Sequence, residues 1–295
     1  MSITGNSYLG SLRLLSLIRA GRYSQVWSAI EDSTQKKVCV KLLLPEFRSD
    51  REQLRGMQRE AECGRTINHP LLLGARELRD SKQGPYLLMD LFVSRNLREV
   101  MLECRTAMLP WLHGIARQAA AALAHLHSLQ WLHLDVKPDN LLLNEHGEAR
   151  LIDFSLSRRV PNWFDRLLWK TTRDKLVRGT RSYMSPEVIR RDPVDARSDI
   201  YSFGCTLFHL AAGTQPYSAA SSNELLRQHL NAKVPNLSAV NPEVTPRLSK
   251  LVAAMMQKKP ENRPASMDEV VRELATMRFF TWQPDEAEVP PAPAA

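Results

Sequence analysis

The spacing of hydrophobic residues along the chain changes after Asp90. Before that residue, short runs rich in Val, Ile and Leu predict strands, and a charged, helix-favouring segment at 50–66 predicts one helix among them. The polar stretch 32–35 predicts a hairpin turn. The predicted strands cover residues 12–18, 26–31, 37–43, 71–78 and 85–90. This part of the chain is therefore expected to form a small strand-rich lobe.

Beyond Leu91 the hydrophobic spacing is mainly that of helices. The predicted helices cover residues 111–128, 198–212, 244–256 and 266–277. A larger helical lobe is therefore expected to follow the small one. The final stretch, 283–295, is rich in Pro, Ala and acidic residues, and this composition predicts a disordered tail.

The composition is that of a globular protein. The chain has 295 residues, 43% of them hydrophobic and 24% charged, which is enough for a sizeable core. Its longest apolar stretches, 119–126 and 204–213, are shorter than the roughly 20 residues that span a bilayer. The N-terminal sequence shows no secretory signal, and the four cysteines are widely scattered, which favours reduced thiols. We therefore expect a cytoplasmic protein.

The formal net charge of +8 is unevenly distributed. The segment 158–181 holds eight Lys and Arg residues against two Asp residues, interleaved with aromatic residues such as Trp163 and Trp169. At helical spacing these residues give an apolar face beside a basic one. The favoured interpretation is that this face packs on the protein's own lobe, and the alternative is contact with an acidic membrane surface or an acidic partner protein. No zinc finger or RNA-binding aromatic motif accompanies the charge, so no nucleic-acid partner is expected.

The strongest chemical signal is the run HLDVKPDN at 133–140, followed by Asp153-Phe154. These residues resemble the catalytic loop and the metal-binding turn of protein kinases. The resemblance implies phosphoryl transfer from ATP, with Asp135 accepting the proton of the acceptor hydroxyl and Lys137 neutralising the γ-phosphate. It also implies that Asn140 and Asp153 supply oxygens to Mg²⁺, which prefers hard oxygen ligands.

The small lobe carries a second part of the resemblance. The sequence Val38-Cys39-Val40-Lys41 is similar to the family's third-strand motif, in which the lysine binds the α- and β-phosphates. Glu60 matches the acid that pairs with Lys41. Glu62 is the competing candidate, and Glu60 is preferred for its distance from His69-Pro70.

The resemblance further implies a nucleotide pocket between the lobes. Adenine is expected to lie against Val26, Cys39 and Leu142. Asp90 and Phe92 are expected to offer it backbone hydrogen bonds, and Met89 to border the rear of the pocket. The phosphate-covering loop of the family normally reads G-x-G-x-x-G-x-V, whereas here it reads RAGRYSQV at 19–26, so only Gly21 remains. Because glycine permits close backbone approach, Arg19 and Ser24 in place of the other two glycines are expected to weaken nucleotide binding or to stiffen the loop.

The run GTRSYMSPE at 179–187 resembles the end of an activation segment. With Lys137, Thr180 is typical of the serine/threonine class and argues against a small-molecule kinase. The resemblance also implies supporting residues and phosphorylation sites. Arg263 matches the arginine that pairs with Glu187, Asp199 matches the acid that supports the catalytic loop, and Thr171 and Thr172 are candidate autophosphorylation sites.

Three residues depart from the family pattern. Leu134 replaces the arginine that usually pairs with a phosphorylated activation-loop residue, so activity is expected not to require that phosphorylation. Ser155 replaces the glycine after Asp153-Phe154. Gly64 stands where a larger apolar residue usually packs against Phe154, so the helix that carries Glu60 is expected to be loosely held.

The resemblance covers residues 12–277 and implies an α+β, bilobal protein-kinase-like fold. The expected divisions are an N-terminal extension 1–11, a small lobe 12–91, a large lobe 92–277 and a tail 278–295. Two functions remain open. The first is an ATP- and Mg²⁺-dependent serine/threonine protein kinase that acts on protein substrates, similar to soluble bacterial members of the family. The second is a nucleotide-binding pseudokinase scaffold, which the departures suggest and the complete catalytic set disfavours.

Overall fold

The structure, a computed structural model, describes residues 7–160 and 180–282. Within these ranges the chain divides into a smaller unit, which runs through Val93 and also contains Ile152–Ser157, and a larger unit with the remaining residues. The predicted division between residues 91 and 92 lies close to this boundary. The sequence-based boundaries assign Ile152–Ser157 to the large lobe, whereas the structure places this segment in the smaller unit, because it contacts the helix and the sheet there.

The smaller unit is built on one six-stranded antiparallel sheet. Its strands are β1 (Tyr8–Leu9), β2 (Leu12–Ala20), β3 (Ser24–Glu31), β4 (Lys36–Leu43), β5 (Ala75–Arg79) and β6 (Tyr86–Asp90). Their order across the sheet is β1-β2-β3-β4-β6-β5. The predicted strands are confirmed, except that 71–78 becomes a strand only from Ala75. Strand β1 lies within the predicted N-terminal extension, so the sheet begins earlier than expected.

Strand β4 separates two apolar clusters because successive side chains of a strand point to opposite faces. Val38, Val40 and Leu42 belong to one cluster. The alternate residues Cys39 and Leu43 belong to the other, together with residues of helix α1, which spans Arg51–Thr66. This alternation also places Lys41 on the face that the helix covers.

Helix α1 presents a buried stripe to the sheet. It begins after Asp50, whose carboxylate caps the first turn. This carboxylate accepts hydrogen bonds from the backbone amides of Glu52 at 2.8 Å and Gln53 at 3.1 Å. Buried positions recur at helical spacing at Met57, Glu60, Ala61 and Gly64. Glu60 is therefore a carboxylate within an otherwise apolar stripe.

The larger unit is mainly helical. Its helices are α2 (Leu97–Met108), α3 (Leu112–Ser128), α4 (Pro186–Arg190), α5 (Ala196–Ala212), α6 (Ser222–Asn231), α7 (Leu237–Val240), α8 (Pro246–Met255) and α9 (Met267–Ala275). Its short strands are β7 (Arg95–Asn96), β8 (Trp131–Leu132), β9 (Leu141–Leu143), β10 (Ala149–Leu151) and β11 (Arg158–Arg159). Helices α3, α5, α8 and α9 are confirmed as predicted, whereas α2, α4, α6 and α7 were missed. No helix in the described ranges is long and apolar enough to cross a membrane.

Helix α5 forms the centre of the larger unit. Every residue from Ser198 to Ala211 is buried, as expected for a helix with packing on all sides. The core also includes Phe279 and Phe280, which are 0% and 1% exposed, and the latter forms a β-bridge with Val244. The ordered core therefore passes the predicted boundary at residue 277, because these two aromatic side chains are buried.

Two glycines bring helix α1 unusually close to the sheet. A Cβ atom on Gly64 would lie 2.6 Å from the backbone nitrogen of Ala75 and would also collide with the Ala75 carbonyl oxygen. A Cβ atom on Gly74 would lie 2.7 Å from the Cα atom of Gly64. The prediction that Gly64 leaves the helix loosely held is therefore wrong. The missing side chain permits close backbone packing that any larger residue would prevent.

This packing predicts opposite effects for two Gly→Ala substitutions. Gly64→Ala is expected to lower the free energy of unfolding by about 1–3 kcal/mol or more, because the new methyl group has rigid backbone as its neighbour. Gly114→Ala in helix α3 is the control, since a Cβ atom there would meet nothing within 4 Å. It is expected to stabilise the protein by roughly 0.5–1 kcal/mol through helix propensity. Urea unfolding midpoints measure both effects, and equal shifts in one direction would contradict the packing argument.

Candidate active site

A partly buried ion triad lies in the smaller unit. The Nζ atom of Lys41 lies 2.7 Å from the Oε2 atom of Glu60 and 3.0 Å from the Oδ1 atom of Asp153. The Glu60 side chain is only 3% exposed, whereas that of Asp153 is 31% exposed. The structure thus brings together three residues that the sequence predicts for one site. The competing candidate Glu62 is exposed.

The turn that carries Asp153 has an unfavourable backbone conformation. Asp153 has a φ of 67°, in the left-handed region that residues other than glycine seldom adopt. Such a conformation costs of order 1–3 kcal/mol and persists only where neighbouring contacts hold it. Lys41 supplies one such contact to the Oδ1 atom, and the backbone amide of Ser155 donates to the same atom at 3.4 Å.

Burial and charge shape the titration of the triad. Burial alone lowers the pKa of Lys41, but the carboxylates of Asp153 and Glu60 outweigh it and hold the pKa above its ordinary value, so the ammonium stays charged. Burial raises the pKa of Glu60 to about 7, because the opposing effect of Lys41 is smaller and the negative charge of Asp153 adds to the increase. Glu60 is therefore the member of the triad whose pKa burial raises above its ordinary value.

A second polar cluster lies in the larger unit around Asp135. The Nζ atom of Lys137 donates to the Oδ2 atom of Asp135 and to the Oγ1 atom of Thr180, at 2.6 Å each. The backbone amide of Thr180 donates to the Oδ1 atom of Asp135 at 3.1 Å. The Nδ2 atom of Asn140 donates to the carbonyl oxygen of Asp135 at 2.9 Å and to its Oδ2 atom at 3.1 Å. The predicted base, lysine, asparagine and threonine thus form one hydrogen-bonded group.

The buried carboxylate of Asp199 holds the backbone that precedes Asp135. It accepts hydrogen bonds from the amide of His133 at 2.8 Å and from the amide of Leu134 at 2.7 Å. It also lies 2.9 Å from the Nε2 atom of His127. Leu134 has a φ of 61°, so these bonds support another left-handed residue. Burial raises the pKa of Asp199, but the hydrogen bonds from His127 and His133 outweigh this and keep it below its ordinary value.

A buried ion pair anchors the end of the described activation segment. The guanidinium of Arg263 contacts both carboxylate oxygens of Glu187, at 2.7 Å and 2.9 Å. Ser198 of helix α5 donates to the same carboxylate at 2.6 Å. Burial raises the pKa of Glu187, but Arg263 and Ser198 outweigh it and hold the pKa below its ordinary value. This bidentate pair satisfies two charges that would otherwise be costly inside the unit.

Three predicted nucleotide residues of the smaller unit share one region of its sheet. Cys39 and Met89 belong to the apolar cluster beneath helix α1, and Val26 packs against it. Burial raises the pKa of the Cys39 thiol to about 12, so this side chain is neutral. Asp90 ends strand β6 and pairs with Arg76.

The other predicted nucleotide residues are not members of this cluster. Phe92 is partly buried near the end of the smaller unit, and Leu142 is a partly buried residue of strand β9 in the larger unit. Gly21 forms a tight turn between β2 and β3, where its amide donates to the carbonyl oxygen of Ser24 at 2.8 Å.

Some predicted residues lie outside the described ranges. They include Thr171, Thr172 and the aromatic residues between 163 and 169. The basic segment is described at its first residues, where Arg159 lies in strand β11 and its guanidinium stacks on the ring of Trp131 at 4.4 Å.

Sequence reasoning missed three side chains that hold these clusters. Arg59 donates to the carbonyl oxygen of Ser155 at 2.8 Å, His127 contacts Asp199, and Ser198 contacts Glu187. Arg59 directly precedes Glu60 and Ser198 directly precedes Asp199, so adjacency to a predicted residue is a signal that was available. The partner of each side chain depends on tertiary packing.

Comparison with known proteins identifies the family of the chain. The family described as protein kinase domain matches residues 12–280. The serine/threonine-protein kinase PknL of Mycobacterium tuberculosis is 30% identical over 270 residues, which cover 89% of this chain and 66% of that protein. The serine/threonine-protein kinase PrkC of Bacillus subtilis is 27% identical over 297 residues, which cover 96% of this chain and 44% of that protein. The chain thus spans just under two thirds of the first relative and less than half of the second.

A solved structure supports the fold. The crystal structure of the Mycobacterium tuberculosis PknI kinase domain has a TM-score of 0.71 and 23% sequence identity, and the match covers 93% of this chain and 99% of that one. The α+β fold with a strand-rich and a mainly helical part is therefore confirmed.

The raised pKa of Glu60 predicts a pH dependence of stability. Between the ordinary value of 4.5 and the folded value of about 7, the folded protein binds more protons than the unfolded one. The contribution of Glu60 to the free energy of unfolding therefore falls as the pH rises through this window. Glu60→Gln removes this titration.

Urea unfolding of both proteins between pH 4.5 and pH 8 measures the effect. The stability of the wild type relative to Glu60→Gln is expected to decrease with rising pH up to about 7 and then to level off. Groups that do not interact with Glu60 cancel in this difference. A difference independent of pH would contradict the shifted pKa.

Proposed function

Because the chain belongs to the protein kinase family, we propose that it is a serine/threonine protein kinase that transfers the γ-phosphate of ATP to Ser and Thr hydroxyls of proteins. The observation that carries this proposal is the group formed by Asp135, Lys137, Asn140 and Thr180. Phosphoryl transfer requires an oriented acceptor hydroxyl and neutralised phosphate charge, and this group offers a residue for each task.

Asp135 is proposed as the catalytic base. Its Oδ2 atom already accepts from Lys137 and Asn140, whereas its Oδ1 atom accepts only the amide of Thr180 among the hydrogen bonds of the described residues. A carboxylate oxygen can accept two hydrogen bonds, so Oδ1 retains capacity for an acceptor hydroxyl and its proton. Lys137 is proposed to neutralise charge on the transferred phosphoryl group, since its ammonium is held beside the base.

Two side chains also offer oxygen atoms that fit a magnesium ion. Asn140 uses its side-chain nitrogen toward Asp135, which leaves its amide oxygen for another partner. Asp153 has a partly exposed carboxylate. Both groups offer hard oxygens of the kind that Mg²⁺ prefers. Asn140 and Asp153 would hold the ion, which supplies charge neutralisation at the phosphates when it is bound.

Lys41 is proposed to bind the α- and β-phosphates of ATP. Its ammonium remains charged because Glu60 and Asp153 flank it. Glu60 would orient the lysine, and the apolar residues Val26, Cys39 and Met89 would face adenine. Thr180, which contacts both Asp135 and Lys137, supports a protein serine/threonine acceptor.

The first test compares the wild type with Asp135→Asn. With γ-labelled ATP, Mg²⁺ and casein as acceptor, the variant is expected to transfer phosphate about 10²- to 10⁴-fold more slowly, because the proton acceptor is lost. Glu145→Gln is the control, since it neutralises a carboxylate that is 63% exposed in a turn. Acid hydrolysis of labelled casein is expected to yield phosphoserine and phosphothreonine.

Two results would contradict the kinase proposal. Equal labelling by the wild type and by Asp135→Asn would exclude Asp135 as the base. Thermal stabilisation by ATP without labelling by either protein would instead support a nucleotide-binding scaffold.

The second test concerns regulation. Leu134 provides no charge to bind a phosphorylated residue, and Asp199 already holds its backbone. We therefore expect that phosphatase treatment, verified by mass spectrometry, leaves transfer to casein unchanged. Thr171→Ala with Thr172→Ala is expected to give the same result. Loss of activity after phosphate removal, with recovery after rephosphorylation, would show that phosphorylation is required.

A further inference from the structure

Helix α1 contacts the Asp153 turn directly through Arg59, in addition to the indirect link from Glu60 through Lys41. The Nε atom of Arg59 donates to the carbonyl oxygen of Ser155 at 2.8 Å, and both residues belong to the smaller unit. Gly56, one turn earlier on the helix, lies beside this contact. A Cβ atom there would lie 3.7 Å from the Cβ atom of Ser155 and 3.9 Å from the Nη2 atom of Arg59.

The helix therefore holds the turn from two sides. Glu60 holds Lys41, which contacts the carboxylate of Asp153, and Arg59 holds the backbone two residues farther along the chain. Asp153 has a left-handed backbone, and such a conformation requires contacts that hold it. The two contacts act on different parts of the turn, since one binds a side chain and the other a carbonyl group.

The hydrogen bond from Arg59 to Ser155 has a charged donor. A guanidinium donor gives a charge-assisted hydrogen bond, which is roughly twice as strong as a neutral one. Phe154 is fully buried between the two held residues, so movement at Ser155 would be transmitted to Asp153. Leu134, in contrast, cannot hold the activation segment through a phosphate group.

We propose that Arg59 is a positioning residue that keeps Asp153 in its metal-binding orientation through the carbonyl oxygen of Ser155. This inference rests on the proposed kinase function. The assembled state of the turn then depends on an internal arginine and needs no phosphorylated residue.

The first experiment measures the turn itself, without nucleotide or metal. Hydrogen exchange of the backbone amides in 153–157 is compared in the wild type, Arg59→Met and Arg59→Lys. Arg59→Met is expected to exchange about tenfold faster, because one charge-assisted bond is lost. Arg59→Lys is expected to lie between the two, because its ammonium can still donate. Arg55→Met is the control, since Arg55 is an exposed residue of the same helix.

The second experiment measures metal binding. A non-hydrolysable ATP analogue is added with Mg²⁺ or with a chelator, and the melting temperature is recorded. The stabilisation that depends on Mg²⁺ is expected to be largely lost in Arg59→Met and kept in Arg55→Met. In the labelling assay, Arg59→Met is expected to need about tenfold more Mg²⁺ for half-maximal transfer.

The outcomes separate this proposal from the proposed function. Unchanged exchange at 153–157, or an unchanged Mg²⁺ requirement, in Arg59→Met would overturn the role of Arg59 while the kinase activity stands. Absence of transfer by the wild type would overturn the kinase function itself. If Arg59→Met unfolds, Arg59→Lys decides the question, because intermediate exchange with a raised Mg²⁺ requirement supports the proposal and wild-type values contradict it.

Discussion

The smaller unit depends most on the ion pairs that Lys41 forms with Glu60 and Asp153. A charge inside an apolar cluster is costly unless partners surround it, and here Glu60 and Asp153 do so at 2.7 Å and 3.0 Å. The three residues come from a strand, a helix and a distant turn. Their mutual requirement therefore fixes the helix and the turn relative to the sheet within this unit. The close packing of Gly64 on Ala75 adds a steric constraint one turn farther along the same helix.

In the larger unit, the buried charge that needs partners is a carboxylate. Asp199 is fully buried in helix α5 and finds its partners in the backbone amides of His133 and Leu134 and in the ring of His127. These hydrogen bonds satisfy the buried carboxylate, and they hold the backbone amides of the loop before Asp135 in place. A charge placed in the core thus serves to order a loop at the site. The pair of Arg263 and Glu187 acts similarly on the segment that follows Thr180.

Sequence reasoning located the elements whose signal is local. Strand β4 and helix α1 were predicted within a residue or two, because a run rich in Val and Leu and a charged, helix-favouring segment are read directly from the chain. Helix α2 was missed because its charged residues and a non-helical Cys104 interrupt the periodicity. Its start signal was nevertheless present, since Asn96 and Glu99 form a capping box.

The errors arose where tertiary packing decides the outcome. Gly64 was interpreted as a missing contact, whereas the structure uses its small size to bring two backbones together. The partner of Arg59 likewise cannot be read from position, because Ser155 lies ninety-six residues away in the chain. The motifs predict the candidate catalytic residues. Tertiary packing determines which other residues hold them in place.

The departures from the family pattern are best understood together. Replacement of a glycine by Ser155 reduces the backbone freedom of the turn, and the bond from Arg59 restrains it further. Leu134 removes a charged group that would respond to phosphorylation, while Asp199 still holds its backbone amide. Each change favours a site ordered by internal contacts over one ordered by an added phosphate. These contacts support the proposal that activity does not require a phosphorylated activation-loop residue, and under that proposal control would act through nucleotide, metal or substrate binding.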